Sequence, residues 1–230
     1  RTASVVHERS CMHVQEEDDV YMAKVAEQAE RHEEMVEFMK RVARTKPKME
    51  LEERNLLSVA YKNVVSSRRA SLRVISSIEA REQEIAGGSS SLLQGIAAYR
   101  SSVEDELQAI CNDVLALIDD YCLENAPETE PDSHVFYQKM KADYYRYLAE
   151  FKTGSVQVDV ATQAEKAYEL ASNVAVHKLA PTHPIRLGLA LNYSVFLFEV
   201  QGKSSEACTL AKQAFDDAIA ELDTLDEDAY

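Results

Sequence analysis

Helix breakers are scarce in this chain, and they come in clusters. The 230 residues include only 6 glycines and 5 prolines. They are read as lying between segments, at Thr45-Lys46-Pro47, Gly87-Gly88-Ser89-Ser90-Ser91, Asn125-Ala126-Pro127, Gly154, Pro181-Thr182-His183-Pro184 and Gln201-Gly202-Lys203. A glycine inside a helix costs about 1 kcal/mol relative to alanine and a proline about 3 kcal/mol. Long stretches free of both are therefore what an all-helical chain requires. Within them apolar residues recur at helical spacing, and no strand-like alternation of useful length interrupts them. The spacing predicts two helices within Val20–Val42, then Met49–Ile85, Leu92–Leu123, His134–Lys152, Val158–Leu179, Ile185–Val200 and Ser204–Leu222. The fold class is all-α, a bundle of antiparallel helices built as hairpins.

Charge narrows the partners. Lys plus Arg number 25 against 40 for Asp plus Glu, a formal net charge of -15. Such a surface repels phosphate polyanions at long range, which excludes a general affinity for nucleic acid or for anionic lipid. No apolar run approaches the roughly 20 residues that cross a bilayer. The opening segment Arg1–Val20 is polar and contains Glu16-Glu17-Asp18-Asp19, so no signal peptide is expected there. Cys11, Cys111, Cys122 and Cys208 form neither a disulfide framework nor a zinc pattern, and a cytoplasmic, thiol-reduced protein is the simplest reading.

The expectation is no catalytic centre, no cofactor and no metal. There is no HExxH pattern, and the histidines are scattered. Gly202-Lys203-Ser204 resembles the end of a phosphate-binding loop, but Leu197 stands where its first glycine belongs and no strand precedes it. Carboxylates are abundant without any pair being singled out.

The stretch between Glu53 and Glu79 is different. It holds Arg54, Lys62, Arg68, Arg69 and Arg73 and no acid. Lys62, Arg69 and Arg73 are spaced by 7 and 4, which on a helix brings all three within about 20° of one direction. Cations so aligned repel one another unless an acid from a neighbouring helix or an anionic ligand answers them. A second stripe lies in Phe136–Glu150, where Lys139 and Arg146 are seven apart, Asp143 lies between them and Tyr147 follows. A guanidinium presents a planar fork to two oxygens of a phosphate, and a phenol adds one donor. The alternative is that both stripes are solvated faces or are ion-paired within the bundle. A third face combines Gly188, Asn192, Val195 and Glu199, with Leu191 adjacent. It suits either an extended peptide or an ordinary core with one satisfied amide. The segment His183–Asp223 also reads as a helix-turn-helix repeat, which keeps a tetratricopeptide-type scaffold for unphosphorylated peptides open as the rival.

Several strings resemble the 14-3-3 family: "ERNLLSVAYKNVVSSRRASLRVISSIE" from Glu53, "ICNDVLALID" from Ile110, "VFYQKMKADYYRYLAE" from Val135, "PTHPIRLGLALNYSVFLFE" from Pro181 and "AFDDAIAELDTL" from Ala214. They run in order from about Val20 onward. The resemblance implies a single all-helical domain over 20–230 behind a polar extension at 1–19. It implies a dimer, homomeric or formed with paralogues, whose protomers each clamp a phosphoserine or phosphothreonine segment of a client protein in a groove. By position it places the phosphate pocket on Lys62, Arg69, Arg146 and Tyr147. Arg73, Lys139 and Asp143 then support that pocket. Asn192 grips the client backbone, Leu191 and Val195 form an apolar wall, and Glu199 is a polar groove contact. The dimer seam falls on Val25, Ala29, Ser71, Ile75, Ile78 and Tyr99, with an ion pair matching Arg31 and Glu106. Glu34 lacks its usual lysine partner because Ser102 stands there, and Leu72 replaces the family's common tryptophan. The family also continues, beyond the residues matching Tyr230, into a ninth helix that supplies the far apolar wall of the groove.

Overall fold

The computed structural model describes residues 18–46, 48–86 and 91–222. Residues 1–17 of the extension expected at 1–19, Pro47, the Gly87–Ser90 part of the expected loop and the stretch 223–230 lie outside the described residues, and Asp18 and Asp19 belong to the first helix rather than to the extension. Among the described residues the chain is helical, without strands: α1 (18–28), α2 (His32–Thr45), α3 (Leu51–Ala86), α4 (Ser91–Leu117), α5 (Pro131–Ala149), α6 (Gly154–Lys178), α7 (Pro184–Glu199) and α8 (Ser204–Leu222). They form two compact units that divide at Leu117/Ile118.

In the first unit α2 packs on α3, and α3 on α4. Met35, Val36, Met39, Val42 and Ala43 form the buried face of α2, and Leu57, Ala60, Tyr61, Val64 and Val65 answer from α3. A buried Met, Val or Leu stabilises by about 1.5–3 kcal/mol, whereas an exposed ion pair contributes about 0–1 kcal/mol. Packing therefore holds these helices, and the ion pairs set register. Asp19 of α1 accepts from Arg41 of α2 at 2.6 Å. Tyr61 of α3 donates to Asp113 of α4 at 2.7 Å, and Lys40 of α2 donates to the same carboxylate at 2.9 Å. α3 begins where Glu53 accepts the Glu50 N–H at 2.7 Å, half of a capping box.

The second unit is built on α5 against α6, with α7 on both and α8 on α7. Its core joins Ala142 of α5, Ala164, Ala167, Tyr168 and Ala171 of α6, and Leu189, Phe196 and Leu197 of α7. The alanines let the helix backbones approach, and Tyr168 fills the space between them. Arg186 closes the end of α6 by donating to the carbonyls of Leu179 at 2.9 Å and Val176 at 3.4 Å.

Several features differ from the spacing-based expectation. Helix α4 passes at Ile118–Cys122 into a π turn, a wider coil that apolar spacing does not reveal. Helix α5 begins at Pro131 rather than His134, since proline suits the first helical turn. Gly154 does not merely follow α5 but opens α6, at a φ of 62° that favours glycine. Gly95 and Gly188 lie within α4 and α7 instead of between segments.

Candidate functional site

Helix α3 is unbroken, so Lys62, Arg69 and Arg73 do fall on one stripe. Lys62 and Arg73 are exposed, and Arg69 is half-buried. Neighbouring helices answer Arg68, one position off that stripe. It donates to Glu33 of α2 at 2.7 Å and to Glu106 of α4 at 3.4 Å, and the bond from Arg68 holds the Glu33 carboxyl below its ordinary value. Among the described residues no ion pair reaches Lys62 or Arg73. Of the two answers open to an aligned set of cations, neighbouring acids take up Arg68 and leave these two to solvent or to a ligand.

In the second unit the expected residues of α5 and α7 gather around one carboxylate. Asp143 is 6% exposed. Its Oδ2 accepts from Lys139 Nζ at 2.9 Å and from Asn192 Nδ2 at 2.8 Å. Its Oδ1 accepts from Asn192 Nδ2 at 2.9 Å and from the Tyr168 hydroxyl at 2.6 Å. Arg146, also 6% exposed, donates from Nε to the Tyr168 oxygen at 3.3 Å. Its Nη1 lies 3.5 Å from Glu150, and its Nη2 lies 3.7 Å from Asp143 Oδ1. The guanidinium stands over the Tyr147 ring at 4.6 Å, a cation–π contact. Burial opposes the Arg146 charge, but Tyr168 and Asp143 outweigh it and its pKa is raised. Burial, and then the Asp143 charge, push the Tyr168 phenol well above its ordinary value, so it remains a donor.

Around Asn192 on α7, Leu191 is 61% exposed, Val195 is half-buried and Glu199 is exposed. A methyl group on Gly188 would meet only the Lys139 Cε at 3.6 Å, so that glycine is not sterically obligatory.

The residues expected at a dimer seam divide in the single chain. Val25, Ile78 and Tyr99 expose large apolar surface, and Ala29 and Ser71 are exposed. Ile75 is buried in its own unit. Arg31 pairs with Glu34 one turn along, while Glu106 accepts from Arg68. Glu34, without a lysine at position 102, thus has a cation from its own helix turn.

Two participants escape sequence reasoning. Tyr168 lies 25 residues from Asp143 on another helix, and Glu150 is one acid among many that no spacing singles out. The one local signal for Tyr168 is that it is the lone aromatic on the small-residue face of Ala164, Ala167 and Ala171.

Residues 22–230 match the 14-3-3 protein family. The maize 14-3-3-like protein GF14-12 is 56% identical over 216 residues, covering 93% of this chain and 81% of that protein. The Arabidopsis thaliana 14-3-3-like protein GF14 iota is 56% identical over 211 residues, covering 92% and 77%. The soybean 14-3-3-like protein C is 56% identical over 214 residues, covering 93% and 81%. The all-helical order is the one the resemblance implies, and with matches of this extent the chain belongs to the 14-3-3 family.

Proposed function

We infer that the protein is an adaptor that binds phosphoserine- or phosphothreonine-bearing segments of client proteins and catalyses nothing itself. The observation that carries this reading is the Asp143 network, which spends a buried acid on orienting three donors rather than on chemistry. Lys62, exposed, and Arg69, half-buried, on α3 are suited to a phosphate with about two negative charges, and so, within its own unit, is the Arg146 fork beside the Tyr147 hydroxyl on α5. Arg73 adds long-range attraction.

Backbone recognition follows from the Asn192 orientation. Its amide nitrogen faces Asp143, so its oxygen is turned away from the acid and suits a client N–H. Leu191 and Val195 offer apolar surface to the client's side chains, and Lys139 and Glu199 border it. The 14-3-3 assignment displaces the tetratricopeptide rival, and it implies client binding and dimerisation. We further propose that the dimer forms with itself or with paralogues, which would let doubly phosphorylated clients bind with avidity. We place its action in the cytoplasm, in keeping with Cys122 and Cys208, which remain thiols.

The test is a pair of fluorescent peptides identical except for phosphate on one serine, titrated by anisotropy. Binding of the phosphorylated member at least about tenfold tighter, or 1.4 kcal/mol, supports the reading. Equal affinities refute it.

A further inference from the structure

We propose that Tyr168 is a positioning residue for phosphate recognition: its hydroxyl is wedged between Asp143 and Arg146 and keeps the guanidinium from closing onto the carboxylate. The proposal rests on the reading of Arg146 as a phosphate donor and adds a residue outside the pocket itself.

A carboxylate offers about four lone-pair directions. On Asp143 the contacts are Tyr168 and Asn192 at Oδ1, and Lys139 and Asn192 at Oδ2. No direction remains for Arg146, and its Nη2 stands 3.7 Å from Oδ1, beyond hydrogen-bond range. The single Tyr168 proton is committed to Asp143 at 2.6 Å, so the phenol's lone pair is what Arg146 Nε meets at 3.3 Å. The result is a relay, guanidinium to phenol to carboxylate. It holds the Nε edge inward while the Tyr147 ring covers one face. The remaining edge carries the two terminal nitrogens, of which Nη1 makes only a long 3.5 Å contact with Glu150, and it is the edge that matches two phosphate oxygens.

Without the hydroxyl, Oδ1 regains a lone pair and Nε loses its acceptor, both in a buried setting where an unmet group is costly. The inexpensive repair is for Arg146 to turn about 1 Å toward Asp143 and form a direct ion pair at ordinary hydrogen-bond length. The fork would then face inward. The Tyr168 ring is held independently, stacked on Tyr193 at 5.0 Å and tilted against Phe196 at 5.4 Å. Phenylalanine at this position therefore keeps the packing and removes only the relay.

The experiment titrates one phosphoserine peptide, by anisotropy, into wild type, Tyr168→Phe, Arg146→Lys and the double variant, with helical content followed by circular dichroism. Tyr168→Phe is expected to stay helical and bind about tenfold more weakly, as for one charge-assisted contact. In the Arg146→Lys background, where no Nε edge exists, the same change is expected to cost less than about threefold, so the two losses are not additive. Unaltered binding by Tyr168→Phe, or a full loss that persists with Lys at 146, overturns the proposal. If Arg146→Lys binds as well as wild type, it is the phosphate role of Arg146 that fails. Should Tyr168→Phe lose its helical signal, NMR of the wild type decides. The Arg146 Nε–H resonance should stay put on adding peptide while the terminal N–H resonances shift, and the reverse overturns the proposal.

Discussion

Asn192 donates its side-chain amide to both oxygens of Asp143, at 2.9 and 2.8 Å, and so ties α7 to α5. The orientation is forced, because an amide oxygen turned toward the acid would be repelled. One carboxylate thereby sets the directions of Lys139, Tyr168 and Asn192 at once.

Removing it should be expensive. Asp143→Ala strips Lys139, Tyr168 and Asn192 of their shared acceptor and leaves the buried Arg146 with Glu150 at 3.5 Å as its neighbouring acid, and loss of one partner from a buried charge pair typically costs about 3–5 kcal/mol. Urea unfolding followed by circular dichroism reads this directly. A loss below about 1 kcal/mol would mean that the network is ornamental.

Alkali should destabilise the fold through its buried phenols. Burial, and then a neighbouring acid, raise Tyr61 and Tyr168 above their ordinary value. The unfolded chain then releases these protons first, so their stabilisation is complete below about pH 10 and falls above it. Each contributes a slope of about 1.4 kcal/mol per pH unit. Burial pushes the Cys122 thiol up to about 12, and its contribution declines from its ordinary 9.0 upward. Stability measured between pH 9 and 11 should fall, less steeply for Tyr168→Phe, and a flat profile contradicts this.

The turn between α1 and α2 holds Glu30 at a φ of 56°. A side chain in that region costs about 1–2 kcal/mol, and glycine escapes it at some cost in chain entropy. Glu30→Gly should therefore raise the stability by about 0.5–1 kcal/mol, seen as a higher urea midpoint with an unchanged slope. A lower midpoint would show that Glu30 contributes a contact worth more than the strain.

How far all this could be read from residues alone depended on distance along the chain. The stripe of Lys62, Arg69 and Arg73 is a matter of spacing within one helix, and α3 bears it out because nothing breaks it. Helix α6 was foreseen but begins four residues early, since a glycine that ends one helix and one that opens the next look alike in sequence. The π turn at Ile118–Cys122 leaves no mark in apolar periodicity. Tyr168 is the larger omission, because its role exists only once α6 lies against α5. The meeting of a phenol with Asp143 is tertiary information that no local pattern carries.

Assembly offers a further test. Ser71 is exposed on α3, near the exposed Val74 and Ile78, and follows the basic Arg68-Arg69-Ala70. If this face forms the dimer seam, Ser71→Glu places a charge in apolar contact at a high desolvation cost. Light scattering over a dilution series should show a shift toward monomer with phosphopeptide binding retained. An unchanged dimer mass at low micromolar concentration contradicts the seam.

The central claim is that an aligned set of cations on α3 exists to receive phosphate, and Arg69→Glu tests it most directly. Anisotropy with a single phosphoserine peptide should show a loss of at least about 1.5–3 kcal/mol, roughly ten- to hundredfold in affinity, with helical content intact. Wild-type affinity in Arg69→Glu would contradict the account.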